Sequence, residues 1–126
     1  VVAAGNENIS ACLETPAMDE FGATDEFDDR GWYSNFGSCV DVFAPGSDIT
    51  SASNENNTAE RTRTGTSMAA PFVAGAAALL LQASPAMKPS EVEAELRRRA
   101  TRASVFDAMD GSPNLLLYTG PLASTP

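Results

Sequence analysis

The residue with the plainest capacity for chemistry is Ser67, in the stretch Gly65-Thr66-Ser67-Met68-Ala69-Ala70-Pro71 that opens a long apolar run. A serine at a helix N-terminus holds its oxygen near unpaired backbone N–H groups and the positive end of the helix dipole. Such groups can stabilise the oxyanion formed in acyl transfer. A serine in the same place can also be a plain helix cap. Asn6 is a second candidate, since it follows an apolar run and Gly5. It either holds a left-handed turn or aims its amide N–H₂ into a cleft. A serine nucleophile needs a base, most often histidine, and the chain contains none. Nor does the serine sit in a G-x-S-x-G elbow, because Ala69 stands at the last position. A generic α/β hydrolase, which needs a late histidine, is therefore a poor reading.

Other reactive or chargeable groups are few. Cys12 and Cys39 are compatible with a disulfide or with two free thiols, and two thiols without histidine make a poor zinc site. Asp19, Glu20, Asp25, Glu26, Asp28 and Asp29 crowd together, which fits a solvated loop better than a cation site. Eight basic against seventeen acidic residues leave a net charge of −9, which argues against nucleic acid and anionic membrane as partners. Two glycosylation triplets, Asn8-Ile9-Ser10 and Asn56-Asn57-Thr58, matter only in a eukaryotic secretory route.

The surrounding pattern predicts the elements that would position these groups. With 126 residues, 43 % hydrophobic and 20 % charged, the chain is globular and large enough for a core. Val1–Ala4 reads as a buried strand and Phe21–Thr24 as a strand remnant. Cys39–Gly46 alternates, with Val40, Val42 and Ala44 on one side and Asp41 and Phe43 on the other, and it ends at Pro45-Gly46. Asp48–Ser53 and Thr62–Thr66 flank a polar hairpin tip at residues 54–61. A first helix is expected over Ser67–Gln82, capped by Thr66 or Ser67, with Pro71 in the tolerant first turn. Its small residues imply burial on all sides. The run Met68–Leu81 is too short to span a bilayer. A second helix is expected over Pro89–Ala103, with Ser90 and Glu93 as a capping box. Val92, Leu96 and Ala100 would form its apolar face, and Glu93–Arg97 and Glu95–Arg99 its i,i+4 pairs. Arg97-Arg98-Arg99 then closes a helix and is not a nucleic-acid patch. Residues 111–120 offer one short strand. The chain starts at Val1 without a signal-peptide pattern and reads as part of something longer.

Taken in order, "VVAAGN", "ACLETPA", "YSNFGSCVDVFAPG", "GTSMAAP" and "GSPNLLLY" resemble the C-terminal half of a subtilisin-like serine protease, most closely the aqualysin-type members of the proteinase K branch. The resemblance covers nearly the whole chain. It implies an α/β fold, part of a doubly wound, mostly parallel sheet with helices on both faces, here incomplete. Residues 1–120 would be the C-terminal portion of the catalytic domain and 121–126 a tail. Ser67 matches the nucleophile, and Asn6 the oxyanion-hole asparagine working with the Ser67 N–H. Loss of such a donor in a subtilisin costs about 10²–10³ in rate. Ala3, Ala4 and Gly5 match one wall of the pocket for the residue before the scissile bond. Cys12 and Cys39 match a disulfide, which points to secretion. Thr15-Pro16 matches a frequent cis-proline position, and Asp41 a calcium ligand. No cofactor is required for the chemistry, though structural calcium is possible. The partners implied are a protein or peptide substrate and the missing N-terminal half, with no nucleic acid and no membrane.

Three departures limit the resemblance. The catalytic aspartate and histidine would lie N-terminal to this chain, and with them the base that activates the serine. Phe72 replaces a histidine that usually follows Pro71. Only Met18–Phe21 remain between "TPA" and "GAT", where the family has a longer stretch with an apolar strand, and a strand buried on both faces is not readily shortened. That deletion also weakens the calcium expectation at Asp41. Two functions compete: half of a secreted endopeptidase, inactive alone, or a non-catalytic decayed domain serving binding or assembly.

Overall fold

The computed structural model describes residues 1–13 and 20–120. In chain order its elements are β1 (Val2–Ala3), β2 (Glu20–Thr24), β3 (Val40–Pro45), β4 (Ile49–Ala52), β5 (Glu60–Arg63), α1 (Thr66–Ala83), α2 (Pro89–Arg99), β6 (Thr101–Arg102) and β7 (Leu115–Leu116). Five strands form one sheet in the order β1-β2-β3-β7-β6. All its pairings are parallel except β6 against β7. This is the mostly parallel α/β arrangement expected. The positions expected for Thr15, Pro16, Met18 and Asp19, and for the tail 121–126, lie outside the described residues.

The shortened stretch does not abolish its strand. β2 runs between β1 and β3, and all five of its residues are buried. Gly22 is required there, because the Phe43 ring of β3 lies where a Cβ would stand. Glu20 is fully buried and so is not part of a solvated acidic loop. Asp25 is in such a loop, accepting the N–H groups of Phe27 and Asp29 at 2.9 and 3.0 Å. In β3 the alternation holds for Val42 and Ala44, which join Phe21 and Ala23 on the face covered by both helices. Val40 instead faces the other side with Phe43, Ala4, Ala11, Val105 and Ala108. The cause is a register shift: Glu20 pairs with Val40 but Phe21 with Val42, leaving Asp41 as a bulge. Cys12 and Cys39 are disulfide-bonded with Cα atoms 5.3 Å apart, tying the short turn at Ala11–Leu13 to the start of β3.

α1 starts one residue earlier than expected. Its N-cap is Gly65, which makes no side-chain cap bond, so neither Thr66 nor Ser67 is the cap. Nor is α1 buried on all sides. Ala69, Val73, Ala76 and Leu80 face the core, while Phe72, Leu79 and Leu81 are 41 %, 46 % and 39 % exposed. One face lies on the sheet and against α2, and among the described residues no element covers the other. By length and composition α1 could cross a bilayer; in this structure it packs along the sheet.

α2 ends at Arg99, short of the expected Ala103, because Thr101–Arg102 turns into the sheet edge. Its apolar face of Val92, Leu96 and Ala100 is buried as expected. The capping box sits two residues earlier than predicted: the Lys88 N–H donates to the Glu91 carboxylate at 2.7 Å. Glu93 and Arg97 approach to 3.9 Å. Glu95, however, pairs with Arg98 at 2.6 Å, while Arg99 donates to the Gly120 carbonyl.

Candidate active site

Two chain segments distant in sequence meet at the start of α1. The first is the loop leaving β1, where Gly5 adopts φ +101°, and Asn35 stands where a Cβ on Gly5 would lie. The second is the first turn of α1, where Thr66 is fully buried and Ser67 is exposed. Hydrogen bonds join them. The Asn6 carbonyl oxygen Oδ1 accepts the Thr66 N–H at 2.8 Å and the Thr66 hydroxyl at 3.0 Å. The Thr66 Oγ1 in turn accepts the Gly5 N–H at 3.2 Å. Asn6 thus satisfies the helix end that Gly65 cannot cap, from sixty residues away.

This arrangement fixes which end of the Asn6 amide is available. With Oδ1 committed to Thr66, the Nδ2 donors are directed away from it, and both side-chain amide atoms lie 3.6 Å from a Cβ position on Gly65. The Met68 N–H bonds the Gly65 carbonyl at 2.8 Å, and Thr66 N–H is held by Asn6. Between them, the Ser67 N–H has no acceptor among the described residues. An exposed hydroxyl, a free backbone N–H and a fixed side-chain amide therefore gather at one helix terminus, where the dipole favours negative charge.

The residues expected to form a pocket wall follow directly from β1. Ala3 pairs with Phe21. Ala4 is buried, donates to the Phe21 carbonyl at 3.1 Å and accepts from Asn35 at 2.8 Å. On another side of the α1 start a cavity of about 610 Å³ opens beneath the β4–β5 hairpin, lined by Ile49, Ser51, Arg61, Arg63, Met68 and Phe72. No base is at hand. Tyr33 reaches Ser47 at 3.0 Å, and burial pushes its phenol above the usual range, so it remains protonated at neutral pH.

Asp41 does not assemble a calcium site with the described residues. One carboxylate oxygen meets the Arg97 guanidinium and the other accepts the Glu20 N–H at 3.0 Å. No group of three or more metal-ligating side chains occurs among the described residues. A guanidinium already supplies the positive charge, and a guanidinium and a divalent cation at the same oxygen would repel. Two residues with site roles were not legible in advance. Thr66 reads from the sequence only as a possible cap, and Asn35, fully buried in the loop before β3, lies in the stretch Tyr33–Gly46 that carries the resemblance but has no role assigned to it there.

A mostly parallel sheet, an exposed serine at the mouth of the helix behind it and an amide fixed alongside meet at one place in the fold. The chain belongs to the subtilase family, peptidase S8, which it matches over residues 1–116. It is 51 % identical over 123 residues to an extracellular serine proteinase of a Thermus species and 48 % identical over 123 residues to alkaline serine exoprotease A of Vibrio alginolyticus. Each match takes in 94 % of this chain but only 30 % and 22 % of the relative, so the chain spans less than a third of these proteins. Among solved structures, a cold-adapted subtilisin-like serine proteinase superposes with a TM-score of 0.86 at 43 % identity, covering 95 % of this chain and 44 % of that one.

Proposed function

We propose that this chain is the nucleophile-bearing part of a secreted serine endopeptidase that cleaves peptide bonds through an acyl-enzyme on Ser67. The reading rests above all on the Asn6–Thr66 bonds, which commit the carbonyl end of the amide and leave its N–H₂ beside the helix terminus that presents Ser67. In the reaction the Ser67 hydroxyl oxygen adds to the scissile carbonyl. The charge that develops on the carbonyl oxygen is received by the Asn6 Nδ2 and the Ser67 N–H. The base that takes the Ser67 proton passes it to the departing amine as the adduct collapses, leaving the acyl group on Ser67, and water, deprotonated by the same base, then removes it as the acid. Ala3, Ala4 and Gly5 flank the residue before the cleaved bond, and the substrate is a protein or peptide.

The chain holds no histidine, and among the described residues no side chain hydrogen-bonds the Ser67 hydroxyl to take its proton. The base and its orienting carboxylate come from the rest of the catalytic domain, which also covers the bare face of α1. The disulfide and the extracellular character of the Thermus relative favour secretion. No metal or organic cofactor takes part in the chemistry. The competing reading, a non-catalytic binding module, draws on the same missing base.

Labelling with a fluorophosphonate probe separates the two. Expressed with the sequence encoded upstream of it, the chain is expected to label stoichiometrically, and Ser67→Ala to abolish labelling. The 126-residue chain alone is expected not to react. Rapid, stoichiometric labelling of the isolated chain would refute the need for an external base. Absence of labelling in the complete protein would favour the non-catalytic reading.

A further inference from the structure

We infer that Asn35 is a positioning residue for the Asn6 amide, acting through the backbone of residues 4–9; this rests on the protease reading above. Asn35 is fully buried in the loop between β2 and β3, and every hydrogen-bonding capacity of its side chain is used on the segment that carries Asn6. Its Oδ1 accepts the N–H groups of Glu7 and Ile9, both at 3.1 Å. Its Nδ2 donates to the Ala4 carbonyl at 2.8 Å and to the Glu7 carboxylate at 2.9 Å. Its own backbone N–H donates to the Gly5 carbonyl at 3.0 Å. These contacts fall on both sides of Asn6 but not on Asn6 itself.

That pattern has a mechanical meaning. The loop after β1 has left the sheet ladder, so its N–H and C=O groups need other partners. The Asn35 side chain supplies three of them and its backbone N–H a fourth, which sets the path of the backbone from Ala4 to Ile9 and hence where the Asn6 side chain emerges. Asn35 is itself fixed from below. The Ser34 hydroxyl donates to the Asn35 carbonyl at 3.0 Å and accepts the Ala23 N–H of β2 at 3.0 Å. Arg30 adds a brace on the far side, donating to the Ser34 carbonyl at 2.6 Å and to the Asn8 side chain at 3.0 Å. The chain of contacts runs from β2, through Ser34 and Asn35, to the loop that holds Asn6 against Thr66. Asn6, Glu7 and Asn8 are its exposed members.

The test uses the complete protein, with the upstream sequence present. Asn35→Asp keeps acceptors for the Glu7 and Ile9 N–H groups but turns a carboxylate towards the Ala4 carbonyl and the Glu7 carboxylate. Misplacing an oxyanion donor by about 1 Å costs on the order of 10²-fold in rate. The expected result is a fall in kcat of roughly 10- to 100-fold per titrated active site, with KM changed less than about threefold. In an Asn6→Ala background the same change is expected to lower kcat less than about twofold, since there is no donor left to misplace. A purely structural role predicts fewer active sites with unchanged kcat per site, and that result, or full additivity with Asn6→Ala, would overturn the inference. Should Asn35→Asp fail to fold, Glu7→Ala removes one contact at an exposed residue and is expected to lower kcat several-fold, again only while Asn6 is present.

A second readout does not need activity. The Thr66 N–H is held on Asn6 Oδ1, so Asn35→Asp is expected to speed its hydrogen exchange about tenfold relative to core amides of β3. Unchanged Thr66 protection would overturn the positioning role even if the protein proved to have no peptidase activity. Conversely, faster exchange with no turnover in the wild type would leave the positioning intact and count against the protease reading alone.

Discussion

Replacing Thr66 by valine tests the junction between the two halves of the candidate site. The change keeps the shape of a fully buried side chain and removes only its hydroxyl. Two hydrogen bonds are lost, one to Asn6 Oδ1 at 3.0 Å and one from Gly5 N–H at 3.2 Å. Asn6 Oδ1 keeps the Thr66 N–H at 2.8 Å, so its loss is that of one ordinary bond, about 1 kcal/mol. The Gly5 N–H is left without a partner, which costs about 1–3 kcal/mol when buried, and less here because Gly5 is partly exposed. The sum is a destabilisation of about 2 kcal/mol. With a urea slope of about 1–3 kcal/mol/M, the unfolding midpoint should fall by roughly 1 M. Thr66→Ser keeps the hydroxyl and deletes one methyl, costing about 1 kcal/mol. The assay is urea unfolding of the complete protein followed by fluorescence, together with kcat on a peptide substrate. A Thr66→Val protein as stable as the wild type, or more stable than Thr66→Ser, would refute the idea that this hydroxyl holds the Asn6 loop to the helix.

Four further outcomes follow from the same geometry. Arg97→Gln strips the guanidinium from the half-buried Asp41 carboxylate and should cost about 1–2 kcal/mol, discounted because Arg97 is itself 41 % exposed. If Asp41 holds no metal, calcium chelation should shift the melting temperatures of the wild type and of Asp41→Asn equally, and a drop confined to the wild type would show that Asp41 is a calcium ligand. Replacing Cys12 and Cys39 by serine opens a link spanning 27 residues and should cost about 3–4 kcal/mol by loop entropy, read as a fall in melting temperature. Because burial raises the Tyr33 phenol above its ordinary value near 10, the folded protein holds that proton more tightly than the unfolded chain. Its contribution is complete below about pH 10 and is lost as pH rises beyond it; Tyr33→Phe should flatten that alkaline decline, and an unchanged pH profile would count against it.

How far the site could be read in advance depended on the distance over which each residue acts. The end of β3 at Pro45-Gly46, the apolar face of α2 and the exposed hairpin of β4 and β5 follow from local pattern, and they stand where periodicity puts them. Val40 did not follow the alternation, because a bulge at Asp41 is imposed by pairing with β2 and leaves no mark in β3 itself. The capping of α1 was misassigned for a related reason. Thr66 and Ser67 carry the right chemistry for a cap, yet the cap is the side chain of Asn6, which only the folded chain brings within reach. Moving the cap off the helix has a consequence: it spares the Ser67 hydroxyl. A serine that accepts its own helix N–H groups has its lone pairs occupied and its rotamer fixed by the backbone. Once Asn6 takes over that duty, the serine hydroxyl remains exposed and the next N–H stays unpaired. The same bonds that close the helix end thus leave the Ser67 hydroxyl exposed and its N–H unpaired together, the two groups that the proposed reaction would use. That coupling makes the Asn6 loop, and Asn35 beneath it, as much a part of the site as the serine.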